Sequence, residues 1–258
     1  MFKGIDHLVI VVKDLEQAAK DYEQLGFTVV LGGYHPVGSH NALISFRDGS
    51  YLELIAFYRE APDHRWWGPL QKGERLVDYC AQTDDLRGDT QKLRDAGVAI
   101  NDPVPWSRTR PDGYELKWLL SLVTGSHRGV APFLIQDVTP REERIPPQWD
   151  HKNGASGIRK LILAASDVSI IQPWYQSLGT EGELIENEQL KARGLRYPIG
   201  PHQLEFLAPL DSQSPLMNWI KTYGPSPYSA LLETSFTATE MLDARLTHGA
   251  NLYLTNHS

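Results

Sequence analysis

A β-rich run, Ile5-Asp6-His7-Leu8-Val9-Ile10-Val11-Val12, opens the chain. Apolar positions then recur at helical spacing as Leu15, Ala18, Ala19, Tyr22 and Leu25, with Gly26 where a helix C-cap belongs. Phe27 to Leu31, Ala42 to Phe46 and Tyr51 to Phe57 read as three further strands, so the predicted order is βαβββ. The unit returns. Asp14-Leu15, Tyr22 and Leu25-Gly26 recur as Asp85-Leu86, Leu93 and Ala96-Gly97 after a second strand, Leu76 to Gln82, and again as Asp167-Val168, Tyr175 and Leu178-Gly179. Strands at Glu115 to Val123 and Ala131 to Asp137 belong to the second copy. A fourth copy is cut short: Ala230 to Phe236 reads as a strand, Thr237 to His248 as a helix ending at Gly249, and Leu252 to Leu254 as a strand.

The connections set the expected domains. Arg144 to Trp149 and the polar stretch Asp150 to Ser156 carry no periodic pattern. This predicts a first domain over 1–149, with modules at about 1–60 and 74–140, and a second over 150–258 with one full and one truncated module. Glu60 to Gly73, with Trp66 and Trp67, is either a cover over the first pair or a plain surface connection.

The opening run with its helix, and the closing Gly49-Ser50-Tyr51-Leu52-Glu53-Leu54-Ile55-Ala56-Phe57, resemble a module of the vicinal-oxygen-chelate superfamily. This is the glyoxalase, bleomycin-resistance and extradiol-dioxygenase group. Gly32 to Phe46 followed by Tyr51 to Phe57 is most similar to its glyoxalase-like-domain proteins. The resemblance implies an α+β fold of repeated βαβββ modules paired into curved mixed sheets, whose concave face holds a divalent metal. It also implies that His7 and Glu53 are metal ligands from the first and fourth strands.

Strand alternation extends this reading. If His7 faces the concave side, Val9 and Val11 do too, while Leu8, Ile10 and Val12 face the helices. The repeat then places Asp78 and Cys80 on the matching face of the second copy, making Asp78 a third candidate ligand. Imidazole and carboxylates suit zinc, iron, manganese or nickel without choosing among them, and the same pocket without metal stays open. Many relatives carry a second histidine where Asp78 stands, which counts against an extradiol dioxygenase. Gln136 or Asp137 could supply a further oxygen.

Other candidates follow from residue chemistry. His40, in a Gly-rich turn with His35, is a candidate general base beside Glu53, or a solvated loop residue. Arg108 and Arg110 alternate onto one side of a hairpin, where they suit an anionic substrate or guard a strand edge. Trp118 would give the substrate an apolar wall. Lys160 and Glu205 occupy the His7 and Glu53 positions of the third copy, as an ion pair or as two solvated groups.

Composition narrows the function classes. A net charge of −7 with interspersed signs gives no footprint for nucleic acid. No run approaches a membrane span of roughly 18 apolar residues, and the first strand begins near Met1. One cysteine excludes an internal disulfide and suits the cytoplasm. The leading expectation is a metal-dependent isomerase or lyase acting on a small oxygenated, anionic molecule, as monomer or homodimer. The alternative is a metal-free protein that sequesters a small molecule, as bleomycin-resistance proteins do.

Overall fold

The computed structural model describes residues 2–236 and 239–256. Strand β1 (Phe2–Val11) leads into α1 (Leu15–Gln24), which starts where the Asp14 carboxylate accepts the amides of Glu16 and Gln17. Gly26, at φ +88°, ends that helix. β2 (Val30–Tyr34), β3 (Ser39–Ser45) and β4 (Tyr51–Phe57) complete the first unit. The connection that follows carries α2 (Trp67–Gln71). The second unit is β5 (Arg75–Thr83), α3 (Leu86–Asp95), β6 (Val104–Thr109), β7 (Glu115–Ser121) and β8 (Phe133–Asp137).

A four-residue helix, α4 (Arg141–Arg144), precedes the third unit. That unit is β9 (Ala155–Ala164), α5 (Gln172–Ser177), β10 (Glu183–Asn187), β11 (Ala192–Ile199) and β12 (His202–Pro209). Helix α6 (Pro215–Tyr223) leads to β13 (Ser226–Thr234), β14 (Glu240–Met241) and β15 (Asn251–Asn256), the shortened last unit. The fold is α+β, built of repeated βαβββ modules with the fourth truncated.

Strands β1 to β8 close a barrel in the order β1-β4-β3-β2-β6-β7-β8-β5. The first strand of each unit runs parallel to its last, β1 with β4 and β5 with β8, and the two first strands are antiparallel. His7 pairs with Cys80 and Asp78 with Val9, so a two-fold exchange of β1 and β5 carries His7 onto Asp78. The same exchange carries Glu53 onto Phe133, because Glu53 is the partner of Val9 and Phe133 of Cys80. The scheme recurs in an open seven-stranded sheet, β10-β11-β12-β9-β13-β15-β14.

Each strand sorts its side chains into two layers. Leu8, Ile10, Leu52 and Leu54 point out of the barrel into one continuous core with Leu161, Leu163, Tyr175 and Phe206 of the second sheet. Val9, Val11, Ile55, Trp118, Leu120 and Phe133 form a separate inner cluster. On the second sheet the corresponding inner face, Ile162, Ala164 and Leu207, is covered by Leu216, Trp219 and Ile220 of α6. At its end Lys160 Nζ lies 2.6 Å from Glu205 Oε1, so these two form an ion pair rather than reaching solvent separately.

Two sequence expectations change. The strand predicted over Phe27 to Leu31 begins at Val30, because the buried Phe27 packs its ring against Tyr22 instead of joining the sheet. The helix predicted over Thr237 to His248 is absent from its described part, Thr239 to His248; Thr237 and Ala238 lie outside the described residues. There Glu240 and Met241 pair with Leu254 and Tyr253 of β15, and Leu242 N–H donates to Leu252 O. The backbone demand of a strand edge thus overrides helical spacing. Among the described residues, no helix is long and apolar enough to cross a membrane.

The barrel closes narrowly. β2 and β6 meet at one registered pair, Tyr34 with Thr109, beside Gly33 at φ +133°. A Cβ on Gly33 would stand 2.0 Å from Thr109 O. Gly33→Ala is therefore expected to cost roughly 2 kcal/mol or more in denaturant unfolding. Gly68→Ala, in α2 with open space around it, should leave stability equal or higher. Equal stability of the two variants would refute closure at this seam.

Candidate functional site

The barrel encloses a narrow cavity. His7 on β1 and Glu53 on β4 sit in its lining, as strand alternation requires once Leu8 and Leu54 face the outer core. Their reactive atoms face each other: His7 Nε2 lies 3.5 Å from Glu53 Oε2. Each group is held from behind. Glu53 Oε1 accepts from Asn41 Nδ2 at 2.6 Å, and His7 Nδ1 lies 2.7 Å from Asp6 Oδ1. The His7 ring stacks on Tyr51, with centroids 4.7 Å apart, and meets the edge of Phe133 at 5.5 Å.

Asp6 should face away from His7, since neighbours on a strand alternate. A β-bulge between Ile5 and His7 turns both side chains inward. There Asp6 is fully buried and accepts from Arg144 Nη1 and Nη2 at 3.0 and 2.9 Å, and also from Arg141. Arg144 further donates to Asp137 and to the Tyr51 hydroxyl. Burial alone would raise the Asp6 carboxyl, but the two guanidiniums and the His7 hydrogen bond outweigh it and hold its pKa well below the usual range. An ionised Asp6 only accepts, so the network assigns a proton to His7 Nδ1. With His7 neutral, Nε2 then offers a lone pair toward Glu53.

The remaining predicted residues divide. Arg108 on β6 lines the cavity, 3% exposed, donating to Asn41 Oδ1 at 3.3 Å and to Arg144 O at 3.0 Å. Trp118 also lines it, with Trp66, Trp106 and Phe133. Arg110 instead lies beyond the end of β6, bonded to Asp112 and Glu143 at the surface. His40 is not in the lining, since its neighbours Ser39 and Asn41 take the inward positions of β3; its ring stacks on Tyr34 outside. Asp78 is buried, but its carboxylate is taken by Arg65 Nη2 at 2.6 Å, Trp66 Nε1 at 2.9 Å and the Tyr79 amide at 3.0 Å.

Six contributors escaped the sequence: Asp6, Asn41, Arg144, Arg65, His35 and His64. His35 and His64 line the cavity as neutral rings. Burial, then Arg108, pushes His35 down to about 3; burial, then Arg65, pushes His64 down to about 4. Inward parity on β3 was the available signal for Asn41. Nothing local announces Arg144, which acts across 138 positions.

The metal-capable donors form an incomplete set. The separation of His7 Nε2 and Glu53 Oε2 matches two ligands at about 2.1 Å subtending a near-tetrahedral angle. The second half of the barrel adds nothing comparable: Phe133 replaces a glutamate, and Asp78 is occupied. Asp6, His7 and Cys80 also cluster, with donor atoms within 4.8 Å of one another. Asp6 there is neutralised by guanidiniums, and burial raises the Cys80 thiol pKa well above its usual value, so that cluster suits a cation poorly.

Residues 5–179 match the glyoxalase-like domain family. The chain belongs to that family. Its vicinal-oxygen-chelate fold is shared with a hypothetical protein from Staphylococcus aureus, at 16% identity, TM-score 0.72 and 98% coverage of each chain. A variant of 4-hydroxymandelate synthase from Streptomyces coelicolor aligns over 95% of this chain and 78% of its own, at 14% identity and TM-score 0.62. A xylose isomerase-like TIM barrel/4-hydroxyphenylpyruvate dioxygenase fusion protein aligns over 92% of this chain and 37% of its own, at 14% identity and TM-score 0.56. At such identities the likeness is one of fold. No curated protein matches in sequence.

The glyoxalase-like barrel should be acid-sensitive in a defined way. Asp6, with a folded pKa below the unfolded value, contributes stability that is complete above about pH 4 and is lost as pH falls through its folded pKa. His35 and His64, kept neutral, add a decline that begins near pH 6.5 and runs down toward about 4 and 3. Unfolding measured across this range should flatten between pH 6.5 and 4 in a His35→Asn/His64→Gln variant. Arg144→Met should cost roughly 3–5 kcal/mol by stranding Asp6, and the added Asp6→Asn change should recover part of that loss.

Proposed function

We propose that the barrel interior binds a small oxygenated acid and that His7 and Glu53 move a proton on it. One observation carries this reading: an imidazole Nε2 and a carboxylate oxygen, both acceptors when His7 is neutral, face each other 3.5 Å apart in a cavity. Two acceptors so placed call for something positive between them. Arg108 supports an anionic ligand, because its buried guanidinium lines the same space. Trp66, Trp106 and Trp118 give the ligand's body an apolar wall.

The chemistry is proton transfer beside a carbonyl. Glu53 takes a proton from the carbon next to the carbonyl; the C–H bond breaks, an O–H bond forms on Glu53, and the electron pair spreads onto the carbonyl oxygen. Neutral His7 Nε2 takes the proton of a hydroxyl on that same carbon and passes it to the former carbonyl oxygen, while Glu53 returns its proton to the former carbonyl carbon, which completes an isomerisation. Asp6 and Arg144 keep the His7 ring oriented, and Asn41 does the same for Glu53.

A second reading, metal dependence, rests on the same gap. His7 and Glu53 would be the protein ligands of a divalent ion, with substrate oxygens and water completing its shell. Such an ion would polarise those oxygens and acidify the adjacent C–H.

Both readings are separable by experiment. In D₂O, proton NMR of small carbonyl-bearing acids should reveal C–H exchange catalysed by the wild type, slowed about 100- to 10,000-fold in Glu53→Gln and in His7→Ala. Calorimetric titration with Zn²⁺, Mn²⁺, Ni²⁺ and Fe²⁺ decides the metal question. Binding lost in either single variant, with little further loss in the double, supports the ion. Acid binding without exchange would make the barrel a sequestering pocket.

A further inference from the structure

Buried N–H groups without acceptors are rare in folded proteins, and each calls for an explanation. Among the described residues, the side-chain atoms left so are Ser45 Oγ, Arg65 Nε, Arg75 Nε, Arg108 Nε and Tyr197 Oη. Two of the three guanidinium nitrogens belong to residues that line the barrel cavity, Arg65 and Arg108. Arg75 differs: its guanidinium lies over the Tyr223 ring at 4.3 Å and does not border the barrel cavity.

Both cavity arginines are more than nine-tenths buried, Arg108 at 3% exposure and the Arg65 side chain at 8%. Their other contacts fix them in place. Arg65 is tied to Asp78 on β5 and lies over the Phe133 ring of β8 at 5.0 Å. Arg108 projects from β6 and is held by Asn41 and by the Arg144 carbonyl. In the barrel order, β7 lies between β6 and β8, and its Trp118 and Leu120 line the cavity between the two guanidinium anchorages. A molecule spanning the cavity therefore meets the Arg108 guanidinium, an apolar wall and the Asp78-paired guanidinium of Arg65, whose Nε–H is left without an acceptor.

A neutral donor strengthens the Arg65 end. His64 Nδ1 accepts from the Trp66 amide at 3.3 Å, so in its neutral form the ring proton is on Nε2, and His64 lines the same cavity. Arg65, His64 and Trp66 all come from the connection that carries α2. That connection thus brings a second guanidinium to the cavity that Arg108 already lines.

We infer that the ligand is a small dianion, a dicarboxylate with a short apolar middle, gripped by Arg108 at one end and by Arg65 at the other. This rests on the proposal that the barrel binds a small acid, and it adds the second charge. The two guanidiniums supply acceptor-seeking N–H groups, and each carboxylate supplies the acceptor oxygens they lack. The cavity is narrow, so short spacers are the ones to test.

Calorimetric titration tests this with the linear diacids from malonate to adipate and the three benzenedicarboxylates. Each is paired with the monoacid in which a methyl replaces one carboxylate. The wild type should bind at least one diacid about tenfold more tightly than its methyl partner. In Arg65→Met/Asp78→Asn, which removes the cation and its buried counter-charge together, that advantage should vanish while monoacid binding persists. Arg108→Met should weaken both members of the pair. Equal binding of diacids and monoacids by the wild type would overturn the dianion and leave the single-acid reading intact. A diacid advantage that survives in the double variant would overturn the role of Arg65. Failure of both classes to bind would remove the two proposals together.

Discussion

A carboxylate buried without solvent survives only if its charge is answered, and in this protein the charge of Asp6 is answered by Arg144 and Arg141. That requirement joins distant parts of the chain. It draws the short helix α4 against the barrel, pins the Tyr51 hydroxyl and the Asp137 carboxylate through the same guanidinium, and orients the imidazole of His7. The Arg144 backbone carbonyl in turn receives Arg108, which reaches Glu53 through Asn41. The two groups that face each other across the 3.5 Å gap are thus held by one polar network, begun by a bulge in the first strand.

Much of the fold was legible because it is written locally. The alternation around His7 and the helical spacing of Leu15, Ala18 and Tyr22 each concern a few neighbouring residues, and the repeats multiply that signal. Tyr51 to Phe57 even coincides with β4 at both ends. His7 and Glu53 were singled out by the family resemblance, Arg108 and Trp118 by their chemistry, and all four line the cavity. What strand parity could not provide was its own interruption: strict alternation assigns Asp6 to the outer face, and only the bulge brings it in. His40 was singled out for its chemistry although the inward parity of β3 belongs to Ser39 and Asn41. Arg65 and Arg144 lie in connections, where no periodicity exists to say which way a side chain points.

The two sheets treat the same inner face differently. In the second, α6 lies over Ile162, Ala164 and Leu207, and the ammonium of Lys160 reaches Glu205, the counterpart of Glu53. In the first, the corresponding space is open and bordered by guanidiniums, imidazoles and indoles. One copy of the architecture carries its cation covalently; the other leaves room for a proton, a metal or a ligand.

The continuous core between barrel and sheet gives that difference its meaning. Leu8, Leu54 and Tyr79 bind the barrel to Leu161, Leu163 and Phe206 from the outside, so cohesion resides on the outer face of strands whose inner face carries polar chemistry. A lining residue can then be exchanged without dissolving the hydrophobic contacts that hold its strand. Such a separation makes the lumen evolvable: new specificities can be tried on one side of a strand while the other side keeps the molecule folded.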